Sequence, residues 1–352
     1  MTTMIGSLTT VTSAGHALAA HIRRGQSEAA RIESEIASGR IADVGRVLGS
    51  ETSRLVGLRQ EATALAAAID ANATVKSRFE ASQAALAGIA ETAGAVLSTL
   101  MAARNDPDLR AGLEFEVGTA MRALQDLTNT TFAGRHLFSG IATTTPPMPD
   151  YFSDPQPRSR MAVSAAFQSA FGMTNADPAA ASIDASSMQA FLDTGFEALF
   201  ADPAWGSDWT AASPEPLTSL IAADQKSSTS LTAHDTAFRK ITAAFTMVLD
   251  TGAGNLNEAA FGVVADAAIA KLSEGVASLA ESRGRLGSVE ADVVRATERM
   301  ERQVDVMRGY IADSERVDLP ALSVTLNALL TRLEATFAVT ARMRSISLLD
   351  AL

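Results

Sequence analysis

LSEGVASLAESRGRLGSVEADVVRATERMERQVDVM, residues 272–307, sets Leu272, Leu279, Leu286, Val293, Met300 and Met307 seven residues apart. Val276, Val289, Val304 and, just beyond, Ile311 take the second seam position. Apolar residues at this spacing form one stripe along a helix, and such a stripe has to be covered by a partner helix. The other end of the chain offers one. From Leu55 a matching seam runs through Leu58, Ala62, Leu65, Ile69, Asn72, Phe79, Leu86, Ala93, Leu97 and Leu100. At 1.5 Å per residue that is a helix of roughly 65 to 70 Å.

Outside these two helices lie two more. Leu18, Ile22, Gly25, Ala29, Ile32 and Ile36 alternate threes and fours, and Gly39 supplies a stop. Pro320 can open a last helix carrying Leu322, Leu326, Leu329, Leu333, Phe337 and Met343. The chain then stays apolar to its end at Ile346, Leu348, Leu349 and Leu352, which exposes greasy surface unless something covers it. Asn105 and Asp106 before Pro107 end the first long helix, and a further segment runs through Leu113, Val117, Met121, Leu124 and Leu127. Seams at both ends of one chain cover each other most simply, so the termini are expected side by side. The fold class expected is mainly α: a long antiparallel helical rod or coiled coil built from both chain ends, with a small mixed α/β insertion at its far end.

Nine of the eleven prolines fall between Pro146 and Pro216, where the long-helix pattern stops. Residues 141–225 hold ten acidic and two basic side chains, so this stretch faces solvent. It also holds Trp205, Trp209, Phe167, Phe171, Phe191, Phe196 and Phe200, which predicts a small core of its own. LTSLIAADQKSSTSLTA, from Leu217, alternates apolar and polar residues around a polar turn and predicts a β-hairpin, with helix returning near Ala237. The expected division is residues 1–144, an insertion at 145–233, and 234–352, with terminal coiled-coil segments at about 1–45 and 318–352.

Composition excludes several functions. A net charge of -11 argues against gripping phosphate backbones, so nucleic acid is not an expected partner. The absence of cysteine removes disulfides, thiol nucleophiles and Cys-ligated zinc. No window holds eighteen consecutive apolar residues, so membrane insertion is not expected. The first 22 residues carry no Asp, Glu, Lys or Arg, yet lack the basic and unbroken apolar regions of a secretory signal. His16, His21, His136 and His234 stand in no ligand spacing, so no metal is expected. GAGN at 252–255 and GRLG at 284–287 lack a phosphate-cradling frame, and no GxSxG nucleophile is present. No catalytic residue, cofactor or metal is expected, and the chain is read as a non-enzyme. Asn129 in NTT fits a glycosylation tripeptide that occurs often by chance. A secreted enzyme would place its chemistry around Trp205 and Trp209, and a signalling coiled coil would need a membrane span or docking tip.

The two ends resemble the flagellin superfamily and, within it, the flagellin-like hook-associated family. SGRI at Ser38 to Ile41, GRHLFSG at Gly134 to Gly140, RGRLGSVEADV at Arg283 to Val293 and the terminal LEATFAVTARMRSISLLDAL carry the resemblance. It covers about 140 residues at the start and 120 at the finish. SGRI is followed by ADVGRVLGS and not by the Asp-Asp-Pro often found in relatives, which leaves the conformation of residues 42–52 open. The resemblance implies a structural component of the bacterial flagellum, an adaptor between hook and filament, with a filament flagellin as the alternative. It implies a ring-like assembly of copies of the chain, axial proteins as neighbours on hook and filament sides, and an export chaperone. It implies an extracellular place reached through type III export without a cleaved signal peptide. Leu18, Ile22, Ile32, Ile36, Leu322, Leu326, Leu329, Leu333, Phe337, Met343, Ile346, Leu348, Leu349 and Leu352 are the expected helix-pairing and subunit-interface residues.

Overall fold

In chain order the elements are α1 (Thr3–Ser38), α2 (Val44–Leu48), α3 (Glu51–Asn105), α4 (Arg110–Thr128), β1 (Thr131–Phe132), β2 (Arg135–His136), α5 (Arg158–Phe171), α6 (Ala185–Phe191), β3 (Thr218–Ala222), β4 (Gln225–Ser228), α7 (Thr236–Asp250), α8 (Glu258–Glu315) and α9 (Leu319–Leu349). They come from a computed structural model that describes the backbone of residues 3–349 and the side chains of residues 16–342. The fold is mainly α with two small hairpins, as the periodicity predicts. The chain packs as two units: Met1–Ala66 with Glu301–Leu352, and Ala67–Met300.

In the second unit the two long seams meet. Phe79, Leu86, Ala93 and Leu100 of α3 and Leu272, Leu279, Leu286 and Val293 of α8 are all buried in one core. Polar contacts fix their direction. The Asn72 amide donates to the Thr297 hydroxyl at 3.0 Å, the Gln83 amide donates to the Arg283 carbonyl at 3.1 Å, and Arg104 pairs with Asp266 at 2.8 Å. Partner numbers fall on α8 as they rise on α3, so the pair is antiparallel. Each large apolar side chain buried this way contributes about 1.5–3 kcal/mol against the entropy of ordering the helices. By length and composition α3 also carries an 18-residue window of mean hydropathy 1.5, enough to cross a bilayer.

Proline ends α3 as expected. The Asp106 carboxylate accepts from the Asp108 N–H at 3.0 Å, Pro107 opens a short 3-10 turn, and α4 follows. Leu127 of α4 comes so close to Gly88 that a Cβ there would sit 3.1 Å from it, and Thr99 bonds Glu116 at 2.6 Å. α4 therefore returns along α3. α7 likewise runs antiparallel to α8, with Asp235 bonding Ser282 and Arg285 and with Ile241 against Gly275.

The aromatic residues expected to build a separate core instead share one with these helices. Phe167, Phe191, Phe196, Trp205 and Trp209 belong to the same buried cluster as Met121, Phe238 and Leu272. Polar ties explain the continuity. The Tyr151 hydroxyl donates to the Asp250 carboxylate at the end of α7, and the Asn175 amide donates to the Asp250 carbonyl at 3.1 Å. Burial, and secondarily the adjacent Asp250 carboxylate, push the Tyr151 phenol well above its usual range. β3 and β4 form the expected antiparallel hairpin, pairing Thr218 with Ser228 and Leu220 with Lys226.

GRHLFSG acquires a physical reading here. Gly134 completes the tight turn between β1 and β2, Leu137 and Phe138 enter the core, and Ser139 bridges to Thr232. Gly140 has φ +59°, and a Cβ there would stand 2.6 Å from the Ser213 carbonyl oxygen and closer still to that of Glu215. Only glycine fits that position.

Candidate assembly interface

Within the first unit α1 and α9 pack side by side. They meet closely at Gly25, where a Cβ would lie 2.6 Å from a Leu333 methyl group. A small residue there lets the leucine fill the space between backbones. Ile32 and Leu333 are buried, while Leu18, Ile22, Ile36, Leu322, Leu326 and Leu329 are half-buried. Met343, Ile346, Leu348, Leu349 and Leu352 lie outside the residues whose side chains are described.

Phe337 stands apart. The seam steps by four, three and four through Leu322, Leu326, Leu329 and Leu333, so the next step should be three, to half-buried Thr336. A second four in succession carries Phe337 roughly 40° off the seam, since four residues overshoot one turn. Its side chain is 46% exposed. Leu319, Leu330 and Phe337 are spaced by eleven and seven residues, intervals that return to within about 20° on a helix. All three are exposed and form a second apolar stripe beside the first. Val324, at 70%, and Val339 are exposed on other sides of α9. A helix this apolar all round is expected where neighbours cover several faces. Spacing by seven from Leu319 and Leu330 was the signal for the second stripe, hidden because Leu326 serves both readings.

The turn after α1 is pinned by two buried carboxylates that no spacing or motif marks out. Glu35 is 2% exposed, and it accepts from Arg31 at 2.5 Å and from the Ala42 N–H at 3.0 Å. Glu315, also buried, accepts from Arg59. The Ile41 N–H donates to the Glu315 carbonyl at 2.9 Å, and the Val317 N–H donates to that of Gly39 at 3.3 Å. SGRI thus forms a small bridge, Arg40 opposite Arg316, that ties the end of α1 to the start of α9. Within residues 42–52, Val44–Leu48 form α2, which Asp43 caps by accepting from the Arg46 N–H at 3.0 Å, and α3 begins at Glu51. Arg31 also hydrogen-bonds Glu28, whose carboxyl it holds below the usual range.

Replacing Glu35 by alanine strands the Ala42 N–H and removes one of the two carboxylates on Arg31. Since Arg31 keeps Glu28, the expected loss is about 1–3 kcal/mol rather than the full cost of an orphaned buried charge. Urea unfolding of the variant against wild type reads it, and an unchanged midpoint would show that the carboxylate does not hold this turn.

Among the described residues no group of three or more His, Cys, Asp or Glu could hold a metal ion. His136 bonds the Asn129 carbonyl at 2.8 Å and His234 that of Ala212 at 3.0 Å, which gives both rings structural partners.

Residues 11–143 match the family model for the bacterial flagellin N-terminal helical region. Among solved structures the chain is similar to a "putative flagellar hook-associated protein" from Vibrio parahaemolyticus, with a TM-score of 0.52 at 12% identity. The match covers 75% of this chain and 97% of the Vibrio chain. No curated protein matches by sequence. The resemblance to the flagellin superfamily carried by SGRI and GRHLFSG is borne out by the family match, and the shared fold agrees with it.

Proposed function

We propose, on the premise that residues 11–143 are a flagellin N-terminal helical region, that this chain is a structural component of the bacterial flagellum and serves as the adaptor between hook and filament. One observation supports an assembling role most directly. The α1–α9 pair satisfies one seam and leaves the Leu319, Leu330 and Phe337 stripe exposed, a surface to be covered by something outside the monomer. Copies of the chain arranged in a ring would cover it, with axial proteins above and below as further neighbours. The mechanism is geometric: lateral helix contacts that hold one kind of neighbour on the hook side and another on the filament side. Sequence resemblance at GRHLFSG and SLLDAL supports the adaptor.

The second reading, a filament flagellin, is supported by the family match, which names flagellin itself. The two readings differ in what purified protein does alone, since a flagellin grows long filaments and an adaptor does not. Deletion of the gene in a motile host tests the adaptor directly. Hooks are expected to persist while filament protein accumulates in the medium, and cells that keep normal filaments would overturn the reading.

A further inference from the structure

Phe115 of α4 is 81% exposed, more than any other large apolar side chain among the described residues. Its own helix does nothing to cover it. The residues three and four away on either side are Ala111, Gly112, Gly118 and Thr119, all small. Of the exposed large apolar side chains, Phe115 alone stands between two carboxylates, those of Glu114 and Glu116. Asp106 and Asp108 are exposed in the turn that precedes α4. The arginines of the same helix lie on other rings, Arg110 over Phe261 at 4.0 Å and Arg122 over Phe152 at 4.2 Å. The result is a bare aromatic knob with an acidic rim, a surface that asks for cover.

The first unit carries its complement. A groove of about 580 Å³ is floored by Ala62, Ala66 and Ile311, buried or half-buried, and rimmed by the exposed Arg40, Arg59 and Arg308. Arg59 is tied to Glu315, but Arg40 and Arg308 have no carboxylate in ion-pair reach among the described residues. Small floor residues leave room for a ring, and guanidinium groups bind carboxylates and pack on aromatic faces alike. The groove therefore suits an apolar group that arrives flanked by acids, and opposite charge on the two surfaces fixes which faces meet.

We propose that copies of this chain join through these two surfaces, the Phe115 knob of one copy seated in the arginine groove of the next, with Glu114 and Glu116 against Arg40 and Arg308. Because the contact joins unlike surfaces, it repeats from copy to copy and closes into a ring where its rotation returns on itself. It rests on the reading of the chain as a ring of copies, and gives that ring a contact separate from the Leu319, Leu330 and Phe337 stripe.

The chain has no cysteine, so introduced thiols report this contact alone. Gly112→Cys stands one turn from Phe115, where a Cβ meets nothing within 4 Å, and Thr63→Cys stands exposed on the groove wall. The two purified proteins, mixed and oxidised at high micromolar concentration, are expected to form mixed disulfide dimers about tenfold faster than either forms dimers alone. Phe115→Ser in the first protein should weaken the contact about thirtyfold and return the rate to that background. Arg308→Glu in the second should do the same, and Glu114→Arg in the first should then restore the rate, since carboxylate and guanidinium have only changed sides. All three positions are exposed, so melting curves of the unmixed variants should match those of their parents. No excess of mixed dimers, a rate indifferent to Phe115→Ser, or no recovery on the charge swap would each overturn the proposal. None of these measurements involves hook or filament, so a negative result removes this contact and leaves the adaptor reading to the deletion phenotype.

Discussion

A chain carrying Leu330→Asp and Phe337→Asp is expected to fold as the wild type does and to fail in assembly. Both side chains are exposed in the monomer, so their replacement there should change stability by no more than about 0.5 kcal/mol. In an assembled contact each would bury a large apolar group, about 2 kcal/mol apiece, and each aspartate would bring a charge into that contact besides. A loss of roughly 4 kcal/mol weakens association about a thousandfold. Unfolding curves of purified monomer read the first half of the expectation, and electron microscopy with motility of a complemented deletion strain reads the second. Leu333→Asp is the informative contrast, because Leu333 lies in the α1–α9 seam and its replacement should loosen the monomer itself. Full motility in the double variant would remove the exposed stripe from the list of working surfaces.

Gly140→Ala should destabilise the second unit by about 3 kcal/mol or more, combining a positive φ with a Cβ driven into two backbone oxygens that cannot turn aside. At 2–4 °C per kcal/mol for a unit of this size, the melting point drops by roughly 6–12 °C. Gly134→Ala isolates the conformational part, since Gly134 also has positive φ but meets nothing within 4 Å. Its expected cost is about 1 kcal/mol. Melts followed by near-ultraviolet circular dichroism decide between them, and equal shifts in the two variants would show that the Ser213 and Glu215 oxygens do not crowd the site.

The long helices were legible because their period extends over many turns. Leu272 to Met307 needed no help from tertiary structure, and prolines at 107 and 320 marked the breaks. The β3–β4 hairpin was legible from its alternation and polar turn. The site was legible only in part. Seam positions such as Ile32 and Leu333 follow from spacing, but Phe337 was assigned to the seam because an interval of four is allowed once. Two fours together drift off the stripe, and that drift is what exposes the ring.

Other features leave no local signature. Glu35 and Glu315 read as two more acids on helical surfaces, and only the turn that Ala42 and Ile41 make beside them turns them inward. The sharing of one core between the proline-rich segment and α7 rests on Asp250 meeting Tyr151 and Asn175, partners 99 and 75 residues away. The buried indole N–H of Trp209, without an acceptor among the described residues, is likewise a fact about its neighbours and not about WGSDW.

The opposed course of α3 and α8 makes length a shared quantity. Removing seven residues from one helix alone would leave seven on the other facing no partner and would shear Gln83 from Arg283 or Arg104 from Asp266. The two can shorten or grow only together and by whole repeats. The hairpin β3–β4 hangs from the same scaffold under no such rule, so a few residues added at its Ala223–Asp224 tip would disturb nothing in the helices.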